Sequence, residues 1–461
     1  MSLRAVRAPP SRANPTRQLA RCPKFRGLEQ KMISGERSFF RGWTIVAVST
    51  LAMMISNGLS IGGIPVFYRP LLDDLISKGA VTAQLAPRVI GLAASLTFLA
   101  AGLFSPVAGI LVARFKLRPL MCVGCFVLGT ALLLYSQATV PAQVYAAHVM
   151  FGLSLGFVGL LINTVLISNW FRRRRGTAMG IVITGTSFGG VLIPAIATPL
   201  IALYGWRTAV LIVSLLVWMV LLPAILLFVR DHPQELGLLP DGDAHASEEA
   251  MRTEQLAGMT LNQALRTPIF WVFGACAALL FYPIFTTSQQ FILYLQTPRI
   301  GLSREMASVA QATLFITSVG GKFFFGWLSD RMTPTRVMLV CCSLMFGATL
   351  LLLRPTPQTA FLFLIPFGLG YGGTFVLIQL LAVETFGLRD IGRILGTIIV
   401  IETIGGATGT YLTGRLASAA GGDYTPAFYG VIIAAGGALL MAYALYRLRA
   451  AMIKAPLAVA R

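Results

Sequence analysis

Charged side chains are scarce in this sequence: Asp, Glu, Lys and Arg make up 12% of its 461 residues, about half of what a soluble domain carries. Apolar residues make up 56%, and a soluble protein of this composition would expose large apolar patches to water. The apolar residues form continuous runs, which excludes the alternating strands of an outer-membrane barrel. The sequence therefore predicts an integral, multi-pass, all-α membrane protein whose solvent is the lipid bilayer.

Catalytic and metal-binding patterns are also scarce. The sequence has no GxxxxGK[ST] phosphate loop, and no nucleophile, base and orienting group cluster in it. Five of the six cysteines lie inside apolar runs without a histidine nearby. Cys122 and Cys125 form a CxxC, but we interpret them as lipid-facing or packed thiols and not as metal ligands or a redox pair. We expect no enzyme, no metal and no cofactor.

Twelve apolar segments are long enough to cross a bilayer, which takes about 20 residues in helical form. They divide into six before and six after a polar stretch at residues 230–267. The predicted fold is thus a bundle of twelve transmembrane helices in two halves, residues 41–229 and 268–446. The predicted spans are Arg41 to Phe67, Arg88 to Val112, Pro119 to Ser136, Ala142 to Ser168, Gly176 to Leu203, Ala209 to Val229, Ile269 to Leu295, Met306 to Leu328, Val337 to Leu353, Thr359 to Val383, Ile391 to Leu416 and Pro426 to Tyr446.

Lysine and arginine are unevenly distributed between the loops. With a cytoplasmic N-terminus, 28 of the 37 Lys and Arg residues lie in cytoplasmic segments, eight lie outside, and Lys322 lies in a span. The positive-inside rule therefore predicts that both termini are cytoplasmic. The net charge of +20 is mostly this orientation signal, so we expect no nucleic-acid partner.

Three polar segments flank or divide the two halves. Residues 230–267, seven of which are acidic, are predicted to be a cytoplasmic linker without a core of its own. Residues 1–40 form a basic cytoplasmic tail, and residues 447–461 form a second one. The first 31 residues fit a disordered tail or an upstream start that precedes Met32 better than a presequence, because they lack amphipathic spacing.

Spans 2 and 8 end in similar sequences, GILVARFKLR at 109–118 and GWLSDRMTPTR at 326–336. Both resemble the GxLxDRxxxR motif of the major facilitator superfamily, whose two halves are parallel repeats. In the first copy Ala113 stands at the acidic position. The resemblance implies a gate that pairs charges across the cytoplasmic face and holds the outward-open state, with a topogenic charge cluster as the alternative. The predicted gating residues are Asp330, Arg331 and Arg336.

A narrower resemblance appears at the start of span 5. The sequence WFRRRRGTAMG at 170–180, followed by Gly185 and Gly189, is similar to the span-5 signature of monocarboxylate transporters and oxalate:formate antiporters. The RGW at 41–43, the YGWR corner at 204–207 and the start of the linker resemble bacterial members of this group. The resemblance implies a transporter of small organic anions in a bacterial inner membrane. The glycines of span 5 are predicted to serve helix packing.

Two charged side chains, Lys322 and Glu402, fall well inside predicted spans. A charge at mid-membrane costs about 2.5 to 3.5 kcal/mol even on the lenient translocon scale, so both should face a cavity or each other. Lys322 precedes Asp330 by eight residues, the spacing at which the monocarboxylate family carries its substrate-binding arginine. The resemblance thus implies that Lys322 is the anion anchor, although lysine offers a point charge and not a bidentate fork. A static ion pair is the alternative.

The proton-coupled animal members carry an acid where this chain has Ser318, so Glu402 is the predicted substitute in proton coupling, with His148 as a second candidate. Other polar side chains in spans could line the cavity or pair helices with one another; they include Gln289, Gln290 and Tyr371. The predicted substrate-binding residues are Lys322, Glu402, Ser318, Tyr282, Asn163 and Gln379.

The sequence thus predicts a secondary transporter of small organic anions, most simply monocarboxylates, that works by alternating access with proton symport or anion exchange. The expected partners are the anion and protons, and the sequence does not specify an accessory subunit. Two alternatives stay open: a membrane receptor or scaffold on the same fold, and an exporter of another small solute.

Overall fold

The computed structural model describes residues 41–171, 174–238, 258–329, 331–387 and 389–458. Within these ranges the chain forms twelve long helices, and each predicted span lies on one of them. They are α1 (Gly42–Ser77), α2 (Ala86–Arg114), α3 (Leu117–Ser136), α4 (Pro141–Trp170), α5 (Arg175–Tyr204), α6 (Trp206–Phe228), α7 (Pro268–Leu295), α8 (Arg304–Ser329), α9 (Pro334–Leu353), α10 (Pro357–Phe386), α11 (Ile391–Ala419) and α12 (Thr425–Ala458).

Eleven helices in the described part of the chain are long and apolar enough to cross a membrane. The twelfth, α8, is 26 residues long and less apolar, since it carries Arg304, Glu305 and Lys322. The long polar segment lies between α6 and α7, and the part of it at residues 239–257 lies outside the described residues. The last part of this polar segment contacts the end of α10, where the Met259 N–H donates to the Phe386 carbonyl at 2.8 Å.

Short loops join most successive helices, so neighbours in sequence run antiparallel across the bundle. We call the side with the α2–α3, α8–α9 and α10–α11 loops the terminal end, because α1 begins and α12 ends there. The opposite end carries the α1–α2, α7–α8 and α11–α12 loops. The halves α1–α6 and α7–α12 meet along two main seams, where α5 packs against α8 and α2 packs against α11, and α1 also contacts α7.

Helix α1 is irregular and longer than predicted. It changes to a π-helix at Met54–Gly63 and to a 3₁₀ turn at Ile64–Phe67, and then continues as an α-helix to Ser77. The predicted end at Phe67 is therefore ten residues too early. Hydropathy falls at that point because Tyr68–Ser77 carries charged residues on one face, but its apolar face stays buried and keeps the segment helical.

At each end of the first half, a charged side chain forms hydrogen bonds that hold helix ends together. At the opposite end, Arg207 donates to Asp74 at 2.6 Å, to the Ser136 carbonyl at 2.6 Å and to the Ala138 carbonyl at 2.9 Å, which ties α6 to α1 and α3. At the terminal end, Asp231 accepts from the N–H groups that begin α3, at 2.8 and 3.1 Å. These contacts give the YGWR corner and the linker start a structural role.

We predict that Arg207→Met lowers stability by about 2 kcal/mol, because it removes three hydrogen bonds to a charged group and leaves the Asp74 carboxylate short of donors. Thermal unfolding in detergent would measure this as a fall in Tm of several degrees. Arg69→Met is the matched control. Its ion pair with Asp73 at 3.0 Å is about half exposed, and such pairs contribute little. Equal changes in Tm for the two variants would contradict the prediction.

Candidate functional site

Lys322 lies on α8, about two turns before its terminal end, in the seam with α5. Its side chain is 8% exposed. The ammonium donates to the Ile183 carbonyl at 3.0 Å and to Ser187 Oγ at 2.9 Å, both on α5. Both acceptors are neutral, so the charge of Lys322 has hydrogen-bond partners but no counter-ion among the described residues.

Ser318 lies one turn before Lys322 on the same face of α8. It is fully buried, and its Oγ lies 3.3 Å from Ser187 Oγ. The structure therefore brings together the two predicted residues Lys322 and Ser318, and it adds Ser187 and the Ile183 carbonyl from the other half. Sequence analysis missed Ser187, since a serine in an apolar span carries no signal of its own.

Glu402 lies on α11, about three turns after its start, and its side chain is 8% exposed. Its Oε1 atom has no hydrogen-bond partner among the described residues. The next residue, Thr403, packs so close to α2 that a Cβ added at Gly102 would lie 2.5 Å from its Oγ1. Glu402 thus lies on a helix of the α2–α11 seam, whereas Lys322 lies in the α5–α8 seam.

No ion pair joins Lys322 and Glu402, both of which are described, so the two charges stay apart in this structure. Among the side chains whose burial is described, the buried charged ones are these two and Asp231, which caps α3. Each seam between the halves therefore carries one buried charge without an opposite charge beside it. Because an unpaired buried charge is costly, such an arrangement favours a polar ligand between the seams.

The other predicted binding residues lie elsewhere. Asn163 donates to the Val158 and Gly159 carbonyls at 2.9 and 2.8 Å, where α4 is interrupted, so it stabilises a helix break. The Tyr282 hydroxyl lies 2.9 Å from where a Cβ at Gly430 of α12 would be, so it points into the second half and not to Lys322. Gln379 on α10 is half-buried.

His148, the second candidate for proton coupling, is buried within the first half. Its Nδ1 lies 2.8 Å from Thr97 Oγ1, and its ring packs near those of Tyr68 and Tyr135. The structure thus places His148 in an aromatic cluster of α1, α3 and α4, away from both seams.

The predicted gating residues are only partly described. Asp330 lies outside the described residues. Arg331 is exposed and stacks on Trp327, with its guanidinium carbon 4.3 Å from the ring centroid. Arg336 is exposed as well, and neither arginine forms an ion pair with an acidic residue in the described ranges.

An aromatic layer lies between Lys322 and the opposite end. Phe315, two turns from Lys322 on α8, packs against the bare backbones of Gly62 and Gly190, where an added Cβ would lie 2.7 and 2.4 Å from its ring. Phe98 of α2 also stacks on Phe285 of α7, with ring centroids 3.7 Å apart. These aromatic contacts join the two halves on the side of Lys322 that faces the opposite end.

The span-5 glycines have different surroundings. A Cβ at Gly185 or Gly189 would lie 2.4 or 2.1 Å from a carbonyl oxygen of α1, so both permit close packing of α5 on α1, whereas Gly180 has open space around it. The described residues contain no group of His, Cys, Asp and Glu that could hold a metal ion.

Twelve apolar helices in two halves, with a buried charge on each seam, define an integral multi-pass membrane protein built like a secondary transporter. The sequence profile of the Major Facilitator Superfamily matches residues 46–298 and again residues 291–460. The chain belongs to this superfamily, which is not enzymatic. The prediction of the superfamily and of a non-enzyme is thereby confirmed.

The proteins that this chain resembles in sequence include transporters and a membrane sensor protein. MFS transporter asaE of Aspergillus flavus is 28% identical over 279 residues, 60% of this chain and 59% of that protein. Membrane sensor protein UhpC of Salmonella typhimurium is 26% identical over 277 residues, 58% of this chain and 60% of that protein. Monocarboxylate transporter 9 of Gallus gallus is 33% identical over 180 residues, 38% of this chain and 33% of that protein. The matches span about three fifths of the first two relatives.

Among solved structures, a bacterial homologue of the human lysosomal transporter Spinster, in an inward-facing and unoccupied conformation, has a similar fold. The TM-score is 0.64 with 16% sequence identity, and the match covers 89% of this chain and 98% of that one. At this identity the similarity concerns the fold alone.

Proposed function

We propose that this protein is a secondary transporter of small organic anions, with monocarboxylates as the preferred class, and that the anion binds at Lys322. The observation that carries the proposal is the Lys322 ammonium, which is buried in the seam between the halves and has only neutral acceptors. A carboxylate at this position would supply the missing opposite charge. It would also replace hydrogen bonds to the neutral acceptors Ser187 and Ile183 with one in which donor and acceptor are both charged.

The number of buried cationic side chains favours a substrate that carries a single carboxylate. Of the Lys and Arg side chains whose burial is described, Lys322 is the buried one. A dicarboxylate would bring a second negative charge into a site with a single buried cation, so we expect discrimination against it. The match to a monocarboxylate transporter over 180 residues supports the same class.

In this proposal the terminal end is cytoplasmic, as the distribution of Lys and Arg indicates, and the two halves rock around the anion. Glu402 is the coupling residue, since its carboxylate is buried and without a described hydrogen-bond partner at Oε1. His148 is the weaker candidate, because it lies inside the first half and away from the seams.

The proposal predicts that monocarboxylates stabilise the protein and that dicarboxylates do so less. A thermal-shift screen in detergent with pyruvate, lactate, oxalate and succinate would measure this. Binding at 100 times Kd should stabilise the folded state by about 2.7 kcal/mol, and Lys322→Ala should abolish the shift. Stabilisation of Lys322→Ala equal to that of wild type would place the anion elsewhere.

A membrane sensor is the second candidate function, favoured by the similarity to UhpC. The same buried ammonium could bind an anion without transporting it. Uptake of radiolabelled pyruvate or lactate into proteoliposomes separates the two: a transporter should give saturable flux that depends on Lys322, whereas a sensor should bind the ligand and give flux equal to empty liposomes.

A further inference from the structure

A glutamine of α7 joins the two halves on the far side of the aromatic layer. Gln289 is 1% exposed, and its amide nitrogen donates to the Ser60 and Ile61 carbonyls of α1 at 3.1 and 2.9 Å. Its amide oxygen accepts from the Tyr68 hydroxyl at 2.5 Å. Three hydrogen bonds from a single side chain of the second half are thus all made to the first half.

The sequence of α1 explains why these carbonyls accept a side chain. Pro65 has no N–H, so it cannot donate to Ile61, four residues earlier, or to Ser60, five residues earlier. The π-helical stretch at Met54–Gly63 ends at this point, and such stretches are often functional. The Gln289 amide supplies donors that α1 itself lacks here. The adjacent Gly62 carbonyl accepts a long contact from Gln311 at 3.5 Å.

These contacts lie directly beneath a pocket that opens to the opposite end. The pocket has a volume of about 440 Å³ and is lined by residues of both halves. Leu72, one helical turn beyond Tyr68, lines it from α1, and Leu293, one turn beyond Gln289, lines it from α7. On α8, Phe315 lies level with these contacts because it packs on Gly62, and Lys322 lies two turns further towards the terminal end. Gln289 therefore lies between the level of the pocket and that of the buried ammonium along the bundle.

We propose that Gln289, Tyr68 and the Ser60 and Ile61 carbonyls form a clasp that closes the opposite end of the carrier, and that the pocket above it is the vestibule through which solute enters or leaves. Opening the clasp would let water from the vestibule reach all four groups, so their hydrogen bonds are exchanged and not lost. The clasp is thus reversible at modest cost. The inference rests on alternating access and is independent of which solute is carried.

Spin labels across the vestibule test the clasp. Ala83 and Ala420 are exposed, line the pocket and belong to different halves, so cysteines introduced there report the separation of α1–α2 and α11–α12. The native cysteines are replaced by alanine, and distances are measured in proteoliposomes by double electron–electron resonance. No substrate is required, so a wrong substrate assignment would leave this experiment unaffected.

Gln289→Met keeps the length of the side chain and removes its donors and acceptor, which leaves the Tyr68 hydroxyl and the two carbonyls unpaired in the closed state. We expect it to raise the population with long distances about tenfold. Tyr68→Phe removes one of the three bonds and should cause a smaller shift in the same direction, which keeps the test available if Gln289→Met fails to fold.

Gln290→Met is the matched control. Gln290 is the adjacent glutamine and is also buried, but it donates to the Thr410 carbonyl at 2.5 Å within the second half. It should lower Tm without changing the distance distribution. The clasp is refuted if Gln289→Met and Tyr68→Phe give the wild-type distribution, or if Gln290→Met opens the vestibule as much as Gln289→Met does.

Discussion

Lys322→Gln should abolish saturable monocarboxylate uptake while the protein stays folded and inserted. Glutamine can still donate to the Ser187 hydroxyl and the Ile183 carbonyl, which are the contacts that Lys322 makes on α5. It cannot neutralise an anion. Leaving a carboxylate buried without its opposite charge costs about 3 to 5 kcal/mol, which corresponds to a loss of roughly two to three and a half orders of magnitude in affinity.

Lys322→Arg should retain part of the activity. Arginine restores the residue that the monocarboxylate family carries at this spacing and keeps the positive charge, but its planar fork is larger than an ammonium. Lys322 is buried in the α5–α8 seam, so we expect a lower maximal rate together with measurable binding. Initial rates of labelled pyruvate uptake into proteoliposomes, over a range of concentrations, would separate the two effects.

Lys78→Gln is the control for removing a lysine. Lys78 is 44% exposed and pairs with Asp74 at 2.9 Å at the opposite end of the bundle, so its loss should leave uptake nearly unchanged. The assignment of the anchor fails if Lys322→Gln transports as wild type does. It also fails if Lys322→Gln and Lys78→Gln reduce uptake equally, since the loss would then come from the net charge.

The twelve helices and the two buried charges could be predicted because both are local signals. A run of about 20 apolar residues has few alternatives to a spanning helix. A charged residue inside such a run must face the interior of the bundle and not the lipid. The side chains that join helices are different. Gln289 and Gln290 look alike in sequence, yet Gln289 bonds to α1 of the other half and Gln290 bonds to α11 of its own half.

The direction in which a polar side chain points depends on how its helix is rotated about its own axis. The sequence of an almost uniformly apolar helix does not show this rotation, because no face of the helix differs from the others. This explains why the sequence does not show that Asn163 lies at the break in α4 or that Tyr282 lies against α12. It also explains why Ser187 was missed. Pro65 is a signal of another kind in the sequence: a proline inside a span frees carbonyls that another residue must satisfy.

The second large effect concerns Glu402, which should couple transport to protons. Glu402 is buried on α11, a helix of the α2–α11 seam, and it forms no ion pair with Lys322 on α8. An anion that binds between the seams brings a further negative charge towards Glu402, which favours its protonated form. Anion and proton would then occupy the carrier together, and the loaded carrier would cross without moving net charge.

Glu402→Gln mimics the protonated form permanently. We therefore expect this variant to exchange labelled for unlabelled monocarboxylate across the membrane at a rate close to wild type, while it loses accumulation driven by an inward pH gradient. Proteoliposomes loaded with unlabelled substrate measure the first activity, and empty ones with an acidic exterior measure the second. The contrast between the two assays identifies the coupling step, because a folding defect would reduce both.

Glu384→Gln is the matched control for removing a glutamate. Glu384 is partly exposed and pairs with Arg449 at the terminal end of the second half, so its loss should lower Tm and leave pH-driven accumulation intact. If Glu402→Gln still accumulates substrate as wild type does, the proton is carried elsewhere, and His148→Gln becomes the variant to measure. If wild type itself exchanges substrate but never responds to the pH gradient, the protein is an anion exchanger, and Glu402 does not couple transport to protons.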